Sequence, residues 1–300
     1  MAHLDKHDEP LLAQTTVSTT LAKATKTSQA EIPPEFLKYH RVFSDEEAQC
    51  LPKHQPWDHK IDLLSEKQMC KTSIYRLTPP EKIALQEYIT EGLQRGTLRQ
   101  SEAPDACSFF FIDKKDGKLH PVQDYRPLND ITRKNAAPIP LIPELVDKLL
   151  GARFFTKLDV RWGYNNIWIR EGDEWKAAFK TPLGLFEPTV MTFGLCNAPA
   201  TFQTFMDTEF GNLVKTGNVV IYLDDILIFA ETLNELIRLT HLVLQQLQDL
   251  DLFLRPAKCS FNQTSVEYLG LIISEGEIHM DPVKLQAIQE WPRPTKVKEI

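Results

Sequence analysis

At 300 residues, with 42% apolar and 25% charged side chains, the chain is long enough for about two domains around a sizeable core. Its 12 Gly, 20 Pro and 5 Cys exclude a collagen-like or low-complexity chain and carry no sign of a disulfide scaffold. The net charge of −7 argues against one large basic face, yet residues 111–180 hold 13 Lys and Arg against 10 Asp and Glu. That local +3 leaves 21 against 31, or −10, on the rest, so a basic middle is set in an acidic body.

Residues 1–30 are rich in Thr, Ala and Lys without a period and predict a disordered leader. The first ten residues carry His3, Asp5, Lys6, His7, Asp8 and Glu9, which is no apolar core of a signal peptide. The longest apolar run, Val219–Ala230, is interrupted by Asp224 and Asp225 and falls far short of the roughly 20 residues of a membrane span. The expectation is a chain that stays in the cytoplasm or nucleus, is not secreted and has no membrane partner. Cys50, His54 and His59 hint at zinc, but Pro52 and Pro56 break the spacing and no fourth ligand is near, so no metal is expected there.

Thr78-Pro79-Pro80-Glu81 is a capping box that opens a helix with Leu85, Tyr88, Ile89 and Leu93 on one face and Gly96 as its stop. Cys107–Ile112 predicts a strand that turns at Lys114–Lys118 and returns through Leu119 to Gln123, a hairpin with a basic tip. A link spaced by Pro138, Pro140 and Pro143 and a short helix ending at Gly151 lead to a strand at Phe154–Asp159. Next come a helix over Ala198–Gly211, with Phe202, Phe205 and Met206 on one side, and strands at Val219–Leu223 and Ile226–Phe229 joined by a turn at Asp224 and Asp225. Thr232-x-x-Glu235 opens a helix through Leu236, Leu239, Val243, Leu247 and Leu250, and apolar strands follow around Phe253 and over Val266–Ile273.

The order β-α-β-β-α-β predicts an α+β unit of the ferredoxin-like, split βαβ kind, with its first strand beside the third and antiparallel to it. In that topology the end of the first strand, Asp159, lies next to Asp224 and Asp225. Three carboxylates side by side repel one another and are costly without cations. Oxygen-only ligands favour a hard divalent ion such as magnesium, and a pair of such ions is the arrangement of polymerases and nucleases. A solvated turn is the bland explanation of an Asp pair; the apolar flanks and the third acid weigh against it.

Tyr222-Leu223-Asp224-Asp225 between Val219-Val220 and Ile226-Leu227-Ile228-Phe229 resembles the catalytic hairpin of retroelement reverse transcriptases, most closely the gypsy-type LTR retrotransposons of fungi. From about Ile32 onward the family's motifs follow in order: Lys114-Lys115-Asp116-Gly117, Asp124-Tyr125-Arg126, Leu158-Asp159-Val160-Arg161-Trp162-Gly163-Tyr164, Phe193-Gly194-Leu195, Ala198-Pro199-Ala200-Thr201-Phe202-Gln203, the acid hairpin, and Tyr268-Leu269-Gly270.

The resemblance implies a right-hand polymerase fold: an N-terminal extension and start of the fingers over residues 31–96, fingers and palm over 97–274 with the acid hairpin at 219–230, and a linker at 275–300 toward a thumb not contained here. It implies an RNA- and DNA-directed DNA polymerase using two magnesium ions, or manganese, with Asp159, Asp224 and Asp225 catalytic and the carbonyl of Val160 a further metal ligand. Lys114 and Lys115 would meet the incoming triphosphate, and Arg126 would either join them or brace the fingers. Tyr164 would sit under the nucleotide sugar, Phe193, Gly194, Pro199 and Gln203 would hold templating base and backbone, and Lys258 would lie near the leaving pyrophosphate. Tyr222 belongs to the acid hairpin beside the primer, and Tyr268, Leu269 and Gly270 would grip the primer end. Implied partners are a primed RNA or DNA template, deoxynucleoside triphosphates and the remaining Pol regions: thumb, ribonuclease H and integrase.

Two departures bear on this. His120 stands where the family has Arg at the nucleotide, replacing a permanent, forked charge with an imidazole, and Asn135-Ala136-Ala137-Pro138 lacks the usual Arg-Tyr pair. With the missing thumb they favour the alternative, a catalytically inactive retrotransposon remnant that at most binds nucleic acid.

Overall fold

The computed structural model describes residues 32–64, 72–113, 117–149, 151–280 and 282–291. The leader at 1–30 and the tip lysines Lys114 and Lys115 lie outside these.

Helix α1 (Pro79–Arg95) begins where its capping box sets it: the Glu81 carboxylate accepts from the Thr78 N–H at 2.6 Å and from its hydroxyl at 2.7 Å. It ends at Gly96, whose left-handed φ of 74° suits a residue without Cβ. Leu85 and Ile89 are buried, but Leu93 is 41% exposed, so the apolar face is shorter than the sequence suggested. Strands β1 (Leu98–Gln100), β2 (Cys107–Asp113) and β3 (Leu119–Asp124) precede helices α2 (Arg126–Ile131) and α3 (Ile142–Asp147), strand β4 (Phe154–Asp159), and strands β5 (Phe179–Thr181) and β6 (Gly184–Pro188). Five of these strands form one sheet in the order β1-β6-β5-β2-β3. The expected hairpin is its β2-β3 edge. Its other three strands went unread because each is only three to five residues long, too short for a period to register.

Helices α4 (Ala198–Glu209) and α5 (Gly211–Val214), the hairpin β7 (Val219–Tyr222) and β8 (Asp225–Ala230), helix α6 (Leu233–Asp249) and strand β9 (Ser260–Gln263) follow. The second sheet runs β7-β8-β4-β9, all neighbours antiparallel, so the first strand of the motif does lie beside the third. Alternation explains why β8 is apolar at every position after Asp225. Ile226, Ile228 and Ala230 join the main core with Leu236, Leu239 and Val243 of α6, while Leu227 and Phe229 face a second cluster with Phe155, Val266, Tyr268 and Ile273.

Three expectations are corrected here. The fourth strand is β9, not the stretch around Phe253, which contributes only a single bridge between Leu254 and Val160. Val266–Ile273 instead supplies β10 (Ser265–Tyr268) and part of β11 (Leu271–Ser274), which with β12 (Glu277–Met280) make a separate three-stranded sheet. The segment expected as a linker from 275 therefore carries β12 and, after it, α7 (Pro282–Gln289). The N-terminal segment is fastened to the rest: the Tyr39 hydroxyl donates to the His241 carbonyl at 3.0 Å, Phe36 packs against Phe261, and His59 bridges to Ile169.

Candidate active site

Sheet register brings the acids together. Asp159, the last residue of β4, is the cross-strand partner of Asp225, the first of β8, and the Val160 N–H donates to the Asp224 carbonyl at 2.8 Å. The turn is one residue earlier than expected: Leu223 and Asp224 form it, and Asp225 is already in the strand, opposite Tyr222. Leu223 has φ of 55°, a conformation hairpin turns usually give to glycine. Gln203 of α4, only 1% exposed, holds it there: its amide oxygen accepts from the Leu223 N–H at 2.9 Å, and its NH2 faces the Ile221 carbonyl at 3.4 Å and Asp207 at 2.9 Å.

Asp159 is 6% exposed, and burial raises the carboxyl pKa of Asp225 above its ordinary value. Lys157, 3.7 Å away, opposes that rise, while Asp224 and Asp159 add to it. Among the described residues no three His, Cys, Asp or Glu side chains are drawn together closely enough to hold an ion. Basic side chains stand among the acids instead. Arg255 Nε is 2.5 Å from Asp159 Oδ1, Arg255 Nη2 is 3.7 Å from Asp224 Oδ2, and Lys258 Nζ is 3.5 Å from Asp159 Oδ2. The closest of these contacts is ionic only: Nε and Oδ1 are both buried and neither has a hydrogen-bond partner, so the N–H is not aimed at the oxygen. Carboxylate and carbonyl oxygens are the donors a hard divalent cation takes, and one of them, Asp159 Oδ1, is buried without a directed donor; with Arg255 and Lys258 among them, the three carboxylates are not gathered around one point.

The remaining expected residues divide by place. Tyr164 is half-buried against Phe193 at 4.8 Å and Phe202 at 5.8 Å; burial raises its hydroxyl pKa, and Asp224 adds to that. Phe193 is 60% exposed, and a Cβ on Gly194, at φ 94°, would press on the Tyr125 ring at 3.2 Å. Pro199 opens α4 and is half-buried; Lys258 is exposed. His120 lines a cleft of about 370 Å³ with Arg95, Trp162, Phe193 and Arg255. Arg126 does not reach the acids: it is exposed and forks onto Asp124 at 2.8 and 2.7 Å. Gln203 and Tyr268, expected at the nucleic acid, are inside the protein. Tyr268 is buried, with its hydroxyl 3.4 Å from the Asp225 carbonyl it donates to, and burial raises that hydroxyl's pKa. Both brace the acid hairpin, and of the residues expected beside the primer Tyr222, Leu269 and Gly270 keep partial exposure. Leu269 (φ 51°) and Gly270 (φ 79°) form the turn between β10 and β11.

Sequence reasoning missed Arg255 and Lys157. Lys157 was legible in principle, since two residues before Asp159 on a strand is the same face. Arg255 gave no such signal, because its place depends on the bridge between Leu254 and Val160.

Residues 112–273 match the family model described as reverse transcriptase (RNA-dependent DNA polymerase). The chain belongs to the reverse transcriptase family. It is 36% identical over 286 residues to the transposon Tf2-3 and Tf2-7 polyproteins of Schizosaccharomyces pombe, covering 94% of this chain and 21% of theirs. This reverse transcriptase chain thus spans about a fifth of the length of those relatives, which agree with the retrotransposon resemblance read from the motifs. Among solved structures it is similar to the foamy viral protease-reverse transcriptase in complex with RNA/DNA hybrid, with TM-score 0.78, 21% identity, and 91% of this chain and 37% of that one covered. The dRH form of that protein in complex with double-stranded DNA gives TM-score 0.80 and 22% identity over 91% of this chain and 49% of that one. The α+β polymerase fold expected for a reverse transcriptase is the fold present.

Proposed function

We propose that the chain is the fingers-and-palm part of an RNA- and DNA-directed DNA polymerase of a gypsy-type LTR retrotransposon, working inside the cell as part of a longer polyprotein. Residues 31–96 lead into the fingers and 97–274 contain the site. The observation that carries the reading is that the backbone brings Asp159, Asp224 and Asp225 to one end of the sheet: Asp159 and Asp225 are cross-strand partners, and Asp224, in the turn, accepts from the Val160 N–H. The solved relatives that share the fold hold an RNA/DNA hybrid or double-stranded DNA, which supports a primed template as partner; the relatives being polyproteins supports companion Pol regions.

In the proposed reaction the primer 3'-hydroxyl oxygen bonds to the α-phosphorus of a deoxynucleoside triphosphate as the bond to pyrophosphate breaks, and the hydroxyl proton leaves to water. Asp159, Asp224, Asp225 and the Val160 carbonyl would hold two magnesium or manganese ions. Those ions, when bound, lower the pKa of the attacking hydroxyl and offset charge on the leaving oxygen. The protein's own part is placement. Tyr164, packed between Phe193 and Phe202, limits the room beside the acids, which suits a deoxyribose over a ribose. Lys258, 3.5 Å from Asp159, would serve as a counter-charge for phosphate, and His120 lines the cleft that Arg255 also lines.

Extension of a labelled primer on RNA and DNA templates, with magnesium or manganese, tests the reading. The parent should extend both, and Asp224→Asn should be slower by at least about a hundredfold, since roughly 3 kcal/mol of charge stabilisation would be lost. Equal rates in the two proteins would sink it, and no extension by the parent under any condition would favour the inactive remnant.

A further inference from the structure

Arg255 occupies a position that none of the sequence motifs assigns. Its guanidinium reaches three of the four groups proposed to hold metal: Nε is 2.5 Å from Asp159 Oδ1, Nη2 is 3.7 Å from Asp224 Oδ2, and Nη2 donates to the Val160 carbonyl at 3.4 Å. The placement is built in. The Arg255 N–H donates to the Asp159 carbonyl at 3.0 Å, and the preceding Leu254 bridges to Val160, so the residue's backbone is sewn to the strand end that carries the first acid. Pro256 follows and restricts the backbone of Arg255.

We infer that Arg255 is a resident counter-ion that a divalent metal must displace, so that this residue sets the metal affinity of the site. The inference rests on the metal reading above and goes beyond it. A guanidinium remains charged at any pH at which the protein folds, so it cannot step aside by losing a proton; it leaves only by moving. The oxygen lone pairs it faces are those a hard cation needs, and one lone pair cannot serve both. The arginine is held by charge more than by directed bonds, because Asp159 Oδ1 and Arg255 Nε each lack a hydrogen bond. Its exit is open, since Arg255 also lines the cleft of about 370 Å³ that runs past Trp162, Phe193 and His120. Among the described residues Lys258 pairs with Asp159 at 3.5 Å and Lys157 with Asp225 at 3.7 Å, so neither spans the acids as Arg255 does.

The test is equilibrium binding of manganese alone, read from the electron paramagnetic resonance of the free ion, for the parent, Arg255→Gln, Arg255→Lys and Asp224→Asn. Arg255→Gln is expected to bind manganese about tenfold more tightly than the parent, a change of roughly 1.4 kcal/mol. Arg255→Lys, which keeps the charge and loses the fork, is expected to fall between. A second readout separates competition from a structural role. In chelator Arg255→Gln should melt below the parent, because the acids are left without their counter-ion, and manganese should restore it by more than it raises the parent. Manganese affinity in Arg255→Gln equal to or weaker than the parent's, with Asp224→Asn clearly weakened, would overturn the counter-ion role and leave the metal site standing. Undiminished binding in Asp224→Asn would overturn both. A melting loss that manganese does not reverse would make Arg255 an ordinary structural contact.

Discussion

The acid end of the four-stranded sheet and the basic edge of the five-stranded sheet, where His120 and Arg126 lie, are built in different ways. At the acid end every group is located by something buried: Asp159 and Asp225 by cross-strand register, Leu223 by Gln203, and the Asp225 backbone by Tyr268. At the basic edge, His120 sits on the outer strand β3, and Arg126 is exposed and forks onto Asp124, two residues away. Groups that repel one another stay together only when the core holds them, whereas a cation meant for a mobile phosphate needs no such support.

The largest effect should come from removing the buried brace. Gln203→Leu leaves the part-buried Leu223 N–H and the buried Ile221 carbonyl without their side-chain partner, and Leu223 is already at φ 55°. The expected loss is about 3 kcal/mol in urea unfolding, together with slower primer extension, because the turn that presents Asp224 loosens. Parent-like stability would mean that the turn keeps its shape unaided and that the contrast between the two regions is overstated.

How much of this could be read in advance follows the same divide. The acid pair, its apolar strands, the helix that caps at Thr232 and the pairing of the first strand with the third all follow from local patterns, because period and capping are written within a few residues. The motif resemblance points to Gln203 as a contact to nucleic acid, yet Gln203 is buried, since a motif marks that a residue matters without saying which way it faces. The apolar stretch around Phe253 predicts a strand, though the strand beside β4 is the more polar Ser260–Gln263. Edge position, not hydrophobicity, decides that strand. Arg255 was invisible because a contact between residues 95 positions apart has no local signature.

A smaller effect is expected where the N-terminal segment joins the palm. His59 is buried, and its Nδ1 pairs with the Thr201 hydroxyl of α4 at 3.0 Å. Burial lowers its pKa from 6.5 to about 4, while Asp173 pulls the other way. Below pH 6.5 the unfolded chain binds a proton that the folded one refuses, so stability present above 6.5 falls as the pH drops toward about 4. By pH 5 the loss should be about 2 kcal/mol, at 1.36 kcal/mol per pH unit. Urea unfolding at pH 7 and pH 5 measures it, and His59→Gln should remove most of the difference. An equal drop in the variant would place the pH sensitivity in the carboxylates of the acid end.

The smallest effect belongs to Arg126, and it tests the other half of the comparison. Its two hydrogen bonds to Asp124 have good geometry, yet the side chain is 82% exposed and its partner is two residues away, so the pair spans no tertiary contact. Such pairs contribute little to stability in water, because solvent screens them and two side chains lose freedom to form them. Arg126→Ala should therefore leave the melting temperature within about 1 °C of the parent. Of the two roles open to it, bracing the fingers is disfavoured by this geometry, which leaves contact with the nucleotide. The Michaelis constant for deoxynucleotide should then rise by about threefold with kcat held, the size of one exposed charge contact. A lowered melting temperature with an unchanged Michaelis constant would reverse the assignment, making the basic edge structural and the two regions alike in construction.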